Sequence, residues 1–459
     1  MKKNALNLFL SQKRFDLIFK YLYVKNFNNF NKQAYLENIR AFNNFYESHP
    51  SDKIPKNSPE DFINSFNRLI EHINKDLFQE KYGRIPIGNN GEITDGAHRL
   101  SVCAAKNISI LTEHSERSDL YDYKFFKKQE MDESIMDYGA LEYVKLNPNA
   151  YIVNLHSTSD IKKDYLVENI LNKYGFIYYK KNINITFNGY VNLKKLSYGN
   201  FGEKTSWIGN VQNKFAGAQA HAKYSMGKNP LRVYVFVCQD FDSVVKAKAE
   251  IRDLFDLGNY SVHINDSKEE AIRLAQIYFN KNSLLMINER PFCFEDIRFD
   301  TYIEKLKTFC SENNLDIERF CLAGSTPLNI VGARQSSDMD FLCLDNDLDL
   351  NEKLLSNHEK ELKYYPYDKE TIITNPNYYF YYKGVKVISL ETLYLMKKNR
   401  NEYPKDVKDC KKIKAILKHN PFLNFSIPPL IKKIKIGNKR KLIILGLIKI
   451  SYKKNKTTN

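Results

Sequence analysis

The chain has 459 residues, 43% hydrophobic and 27% charged, with a formal net charge of +16. Such a length holds two to four domains with sizeable cores, and the ordinary hydrophobic content excludes a disordered or fibrous chain. No Asp or Glu follows Asp409, and the last fifty residues carry thirteen Lys and Arg440. Residues 1–409 are left with about +2, which excludes a body that binds nucleic acid by bulk charge.

The seven cysteines, at 103, 238, 293, 310, 321, 343 and 410, form no CxxC and no paired spacing. Neither a zinc site nor a disulfide framework is expected from them, and a reducing cytoplasm is. The apolar stretch after Met1 is too short for a signal peptide, and no window reaches transmembrane length.

In chain order, residues 9–48 read as helices, with Phe15, Ile18, Phe19, Leu22 and Tyr23 at helical spacing. Ser58-Pro59-Glu60-Asp61 starts another helix, with Pro in the first turn and acids at the positive end of the dipole. Residues 85–105 then read as a short strand, an Asn-Asn-Gly turn, a strand at 92–94 and a helix over 100–106. The bend between them, Asp95-Gly96-Ala97-His98-Arg99, sets a glycine and two basic side chains at a helix start, a pattern suited to phosphate. The stretch from about 60 to 125 resembles the ParB/sulfiredoxin-like fold. That resemblance implies a phosphate-binding turn made of Asp95, Gly96, His98 and Arg99. Sulfiredoxins carry Cys before the His; Ala97 stands here, which speaks against sulfinic-acid reduction. No ParB-type helix-turn-helix follows, which speaks against partition-site DNA binding.

The helix over 138–146 ends at Asn147-Pro148. Residues 160–290 read as a mixed α/β unit of no recognised family. Strands are expected at 151–155, 182–187, 231–237, 261–264 and 282–288, and helices over 242–257 and 267–280. Ser267 caps the last helix, with Glu270 completing a capping box. Trp207, His221, Lys223, His263, Asp266 and Asn282 are its polar residues of interest, with His263 the catalytic candidate among them.

Residues 322–344, LAGSTPLNIVGARQSSDMDFLCL, hold the strongest signal. Gly324-Ser325 offers turn N–H groups and a hydroxyl to a phosphate. In a strand, Asp338 and Asp340 share one face while Met339, Phe341 and Cys343 take the other. Paired carboxylates repel unless a cation joins them, and oxygen donors of this kind suit a hard divalent ion beside substrate phosphates. Gly324-Ser325 followed by Asp338-x-Asp340 resembles the DNA-polymerase-β-type nucleotidyltransferases, over roughly 310–418. Arg334-Gln335-Ser336-Ser337 and the segment 389–412, with Lys405-Asp406-x-x-Asp409, extend the likeness. It implies a nucleoside triphosphate held by Gly324 and Ser325, aided by Lys397 and Lys405. It also implies Mg²⁺ (or Mn²⁺) on catalytic Asp338 and Asp340. The family's third carboxylate is absent from the candidate strands 378–382 and 385–388, and Asp368 lies near but in no clear strand.

From 421 the chain turns basic. Residues 431–456 carry ten Lys or Arg among Ile and Leu. Three fates suit such a segment: lying on an anionic membrane, contacting RNA phosphates, or folding back as a basic helix.

The expected architecture is a multidomain α/β and α+β chain. Its parts are a helical lead-in (1–58), a ParB/sulfiredoxin-like unit (59–150), a mixed α/β unit (151–300), a nucleotidyltransferase-like domain (301–420) and a basic tail (421–459). The expected protein is a cytoplasmic Mg²⁺-dependent nucleotidyl- or phosphotransferase, peripheral at the inner membrane face, with a small-molecule or surface-glycan acceptor. The alternatives are a ParB/sulfiredoxin-type small-molecule kinase with a degenerate C-terminal domain, and a toxin-like nucleotidyltransferase that modifies tRNA or protein.

Overall fold

The computed structural model describes residues 2–47, 55–73, 83–197, 207–210, 212–289, 297–345, 355–418, 431–436, 439–444 and 448–453. The architecture is mixed α/β, built among the described residues on four small sheets.

The first sheet joins β1 (Lys2–Asn4), β2 (Ile85–Ile87) and β3 (Ser109–His114) in the order β1-β3-β2. β2 and β3 run parallel and are crossed by the helix Ala97–Ala105. This β-α-β arrangement puts the Asp95–Arg99 bend at the carboxyl end of β2, where open α/β sheets commonly bind ligands. The strand expected at 92–94 is reduced to one bridge, Ile93 to Ile87. Ile93 N–H goes instead to Gln12 Oε1 (2.7 Å) and Glu92 accepts from Lys13 N–H (2.9 Å), both in the connection between the first two helices, while Thr94 N–H still reaches Pro86 O (3.0 Å).

The second sheet, β4 (Ala150–Leu155), β5 (Phe176–Ile183), β6 (Leu231–Val237) and β7 (Val262–Ile264), is antiparallel with order β5-β6-β4-β7. Every residue of β6 is buried, as its continuous apolar run predicts. On one face Val153, Leu155, Tyr234 and Phe236 meet Val167, Leu171, Val244 and Ile251 of the helices Asp164–Tyr174 and Phe241–Phe255.

Two expected strands are corrected here. Residues 282–288 lie in the helix Lys281–Glu289, because Asn280 Oδ1 accepts from Ser283 N–H (2.8 Å) and caps it. A four-residue apolar run does not by itself separate strand from helix. Residues 182–187 straddle the end of β5 and the start of the helix Phe187–Ser197, where Thr186 Oγ1 accepts from Gly189 N–H (3.0 Å).

The third sheet has order β10-β9-β8-β12-β11, from β8 (Phe320–Leu322), β9 (Met339–Cys343), β10 (Leu355–Asn357), β11 (Tyr379–Tyr382) and β12 (Val385–Ile388). β9 is antiparallel to β8, while β10 lies parallel to β9 and β12 parallel to β8. One apolar core runs from Ala5 to Ile416 through all of these units. Charged groups lock the seam as well: Glu318 meets Lys145 (2.9 Å), Lys386 (3.1 Å) and Tyr381 OH (2.8 Å). Those cations hold the Glu318 carboxyl down to about 2 against its burial.

The tail departs from the basic-helix option. β13 (Ile431–Ile436), β14 (Lys439–Ile444) and β15 (Ile448–Lys453) form an antiparallel meander. Among the described residues no helix is long and apolar enough to cross a membrane.

Candidate functional site

The C-terminal site grows out of the turn after β8. Gly324 takes φ +58°, and Ala323 N–H bonds back to Asp340 O (2.7 Å), so the turn is stitched onto β9. A Cβ on Gly324 would collide with Asp340 Oδ2. The position needs glycine both for its left-handed backbone and for this approach. Ser325 Oγ lies 2.8 Å from Ser336 Oγ, which ties the turn to the segment leading into β9. On β9 Asp340 is half-buried between buried Met339 and Phe341, as the alternation predicts, while Asp338 is exposed and stands one residue before the strand rather than in it.

Parallel pairing sets Ser356 of β10 beside Asp340, and Ser356 Oγ donates to Asp340 Oδ1 (2.8 Å). Two residues on, His358 Nε2 lies 3.8 Å from Asp340 Oδ2 and His358 Nδ1 3.0 Å from Tyr365 OH. Burial depresses the His358 pKa; Asp340 opposes that shift only in part. A hydroxyl on β10 and an imidazole just past its end therefore stand beside Asp340. Asp368 lies elsewhere, as the cap of the helix Lys369–Thr374, accepting from Thr371 N–H (2.8 Å). Among the described residues no group of three or more His, Cys, Asp or Glu gathers in a metal-binding arrangement. The two carboxylates alone are hard oxygen donors of the kind Mg²⁺ uses together with substrate phosphates.

The flanking cations have other work. Lys397 is buried between Asp406 (3.2 Å) and Asp409 (3.1 Å), Arg400 also meets Asp406 (2.7 Å), and Arg334 reaches Asp409 (2.6 Å). An ammonium held by two buried carboxylates ties the helices Leu390–Arg400 and Pro404–Lys418 together, a structural role in place of the expected triphosphate contact. Lys405 is exposed, its Nζ 5.3 Å from the Tyr403 ring centre.

The N-terminal bend opens onto a cavity of about 680 Å³. Asp95, Gly96, His98 and Arg99 all line it. Gly96 takes φ +80° as the cap of the helix Ala97–Ala105, and Arg99 Nη2 meets Asp95 Oδ2 at 3.2 Å. His98 differs from an exposed phosphate ligand. Its Nε2 lies 3.0 Å from Tyr35 OH, Phe66 packs edge-on at 4.7 Å, and burial drives its pKa well down.

Sequence reasoning missed the rest of the wall. Arg14, Lys20, Lys56, Arg68 and Arg117 join Arg99, six cations against the carboxylates of Asp16, Glu47 and Asp95. They come from separate segments, so no local spacing announces them. At the floor Asp16 takes Arg14 Nε (3.0 Å) and Nη2 (2.9 Å) and Lys20 Nζ (2.9 Å), all buried.

In the middle unit, Trp207, His221, His263 and Asp266 come together around a smaller cavity of about 380 Å³. Lys223 is exposed elsewhere on its helix, and Asn282 Nδ2 donates to backbone carbonyls of Asn377 (3.0 Å) and Tyr379 (3.1 Å), docking its helix on β11. The expected capping box is only half made. Ser267 Oγ accepts from Glu270 N–H (3.2 Å), but the Glu270 carboxylate turns to His263 Nε2 (2.7 Å) and Asp266 N–H (3.1 Å).

Neither a protein-family model, nor a curated protein, nor a solved structure matches this chain.

Proposed function

We propose that this protein is a Mg²⁺-dependent transferase of nucleotidyl or phosphoryl groups, with a nucleoside triphosphate bound at the turn after β8. The observation that carries the reading is the close fit of Gly324 against Asp340, which makes the phosphate turn and the carboxylate one unit. Backbone N–H groups of the turn and the Ser325 hydroxyl receive phosphate oxygens. Asp338 and Asp340 hold the cation, with Ser356 fixing the carboxylate of Asp340. Mg²⁺ so bound would neutralise charge on the phosphates and on the departing pyrophosphate or nucleoside diphosphate. An acceptor of the small-molecule or surface-glycan class follows from the motif resemblance by analogy alone.

Isothermal titration of the four common nucleoside triphosphates, with and without Mg²⁺, tests this. Binding that requires Mg²⁺ is expected in the parent protein and lost in the double variant Asp338→Asn with Asp340→Asn. Equal affinities in the two proteins remove the assignment.

One observation favours a second reading, the ParB/sulfiredoxin-type small-molecule kinase: a cavity of about 680 Å³ lined by six cations lies at the N-terminal bend. There the triphosphate sits on Arg99 and the N-terminus of the helix Ala97–Ala105. Arg99→Ala removes one charge-assisted contact worth roughly 1.5–3 kcal/mol, a loss of about ten- to a hundredfold in affinity. Nucleotide binding that follows Arg99 and ignores the Asp pair establishes the kinase reading over the first. Binding untouched by Arg99→Ala removes the kinase reading.

A further inference from the structure

The middle cavity serves neither reading above. Its cations enter from two helices: Lys194 from Phe187–Ser197, and Lys248 and Arg252 from Phe241–Phe255. Asp266 is the one carboxylate among its lining residues. Lys248 is committed, to Asp266 Oδ1 (3.1 Å) and Ile264 O (2.9 Å). Arg252 Nε is buried and has no hydrogen-bond partner among the described residues. Behind the cavity, His156 Nδ1 is in the same condition, and His156 Nε2 lies 3.5 Å from Lys194 Nζ. Buried polar atoms left without a partner are costly until something pairs with them.

Trp207 and His221 add aromatic rings to the lining. The Trp207 and His221 rings are 5.5 Å apart, and His221 and Tyr260 5.1 Å. Trp207 is 43% exposed, so one part of the indole is open to a flat partner. A volume of about 380 Å³ falls at the small end of ligand sites.

We propose that this cavity binds a small organic anion, its phosphate or carboxylate held between Arg252 and Lys194 and its ring laid on Trp207. The two acid types share the same recognition chemistry and differ in charge. Lys194 is only 2% exposed, and burial brings its pKa to about 7. Among the described residues, the titratable groups around Lys194 include His156 after β4, His221 on the helix Ala216–Ser225, His263 on β7 and Glu270 on the helix Lys268–Tyr278, and the cations Lys248 and Arg252 line the same cavity. Burial and the neighbouring cations hold His156 well below its usual pKa and His221 at about 3, so both stay neutral through the physiological range. Burial also lowers His263, with Glu270 opposing. Lys194 is therefore the group that changes charge near neutrality, and an anion beside it favours the charged form.

Trp207 is the only tryptophan of the chain, so its fluorescence reports on this cavity directly. The full-length protein is titrated with phenyl phosphate, benzoate and inorganic phosphate. A saturable change in Trp207 emission is expected with an aromatic probe, phosphate or carboxylate, and weaker binding without the ring. Arg252→Gln should weaken the aromatic probe at least tenfold, and Arg252→Lys, which keeps the charge and guards against a folding defect, less. The double Asp338→Asn and Asp340→Asn variant should bind it normally, which separates this site from the nucleotide site. Benzoate stays ionised from pH 6 to pH 8, so its affinity should fall about tenfold over that range as Lys194 loses its proton, and Lys194→Gln should flatten the dependence. No saturable change with any probe, or a change that Arg252→Gln leaves intact, overturns the proposal. Inorganic phosphate binding as tightly as phenyl phosphate overturns the stacking on Trp207.

Discussion

Gly324→Ala is expected to weaken Mg²⁺-dependent nucleotide binding roughly a hundredfold, because it displaces the carboxylate of Asp340. Two effects coincide at this glycine. Its left-handed backbone costs a residue with a Cβ about 1–2 kcal/mol. The new methyl also occupies the place of Asp340 Oδ2, so the carboxylate must leave its bond with Ser356 Oγ. Gly384, in the turn between β11 and β12, separates the two effects. It too is left-handed, at φ +81°, but a Cβ there meets nothing within 4 Å. Gly384→Ala should therefore show the backbone cost alone, about 1–2 kcal/mol of stability, with nucleotide affinity unchanged. Denaturant unfolding and isothermal titration on the matched pair check this. If the two alanine variants match in both measurements, Asp340 is not seated against the turn as described.

Asp16→Asn should be the most destabilising single change in the N-terminal unit, by about 3–5 kcal/mol. Asp16 is 1% exposed and is the shared partner of Arg14 and Lys20, themselves 4% and 3% exposed. An amide in its place leaves two buried cations facing each other. Asn38 Oδ1 (3.0 Å from Lys20 Nζ) and Ile93 O (3.1 Å from Arg14 Nη1) give partial relief, which argues against a larger loss. The pH dependence has a definite sign. Although burial opposes ionisation, Arg14 and Lys20 keep the folded carboxyl far below the usual range. Its contribution is thus complete above the unfolded pKa of about 4 and declines as pH falls below that value. The stability gap between parent and variant should be widest near neutral pH and narrow steadily between pH 4 and pH 2. A gap that does not change with pH would assign the loss to packing rather than to charge.

What could be read from the residues was whatever lies within one element and its next turn. The Gly324 turn, the burial alternation of Met339, Asp340 and Phe341 and the buried run of β6 follow from local spacing and stand where expected, whereas Asp338 just precedes β9 and the helix expected from residue 100 already starts at Ala97. Strand pairing and cross-chain burial hid the rest. Ser356 and His358 reach Asp340 only through the parallel register of β10 on β9. Arg14 and Lys56 share a cavity with Arg99 only once the lead-in segments pack around the Gly96 turn. Lys397 reads as a free helix lysine until the next helix brings Asp406 and Asp409 against it. The helix Lys281–Glu289 turns on one capping asparagine ahead of an apolar run that suits either structure.

Because one apolar core joins residues from Ala5 to Ile416, the Arg99 unit and β9 are expected to share one opening equilibrium. A ligand at Arg99 that occupies its site at a hundred times its dissociation constant adds about 2.7 kcal/mol to that equilibrium. The amides of β9, which touch no part of the ligand, would then exchange with solvent about a hundredfold more slowly wherever their exchange needs global opening. Occupancy at one end thereby shields Asp338 and Asp340 at the other from unfolding and proteolysis, with no atom of their site displaced.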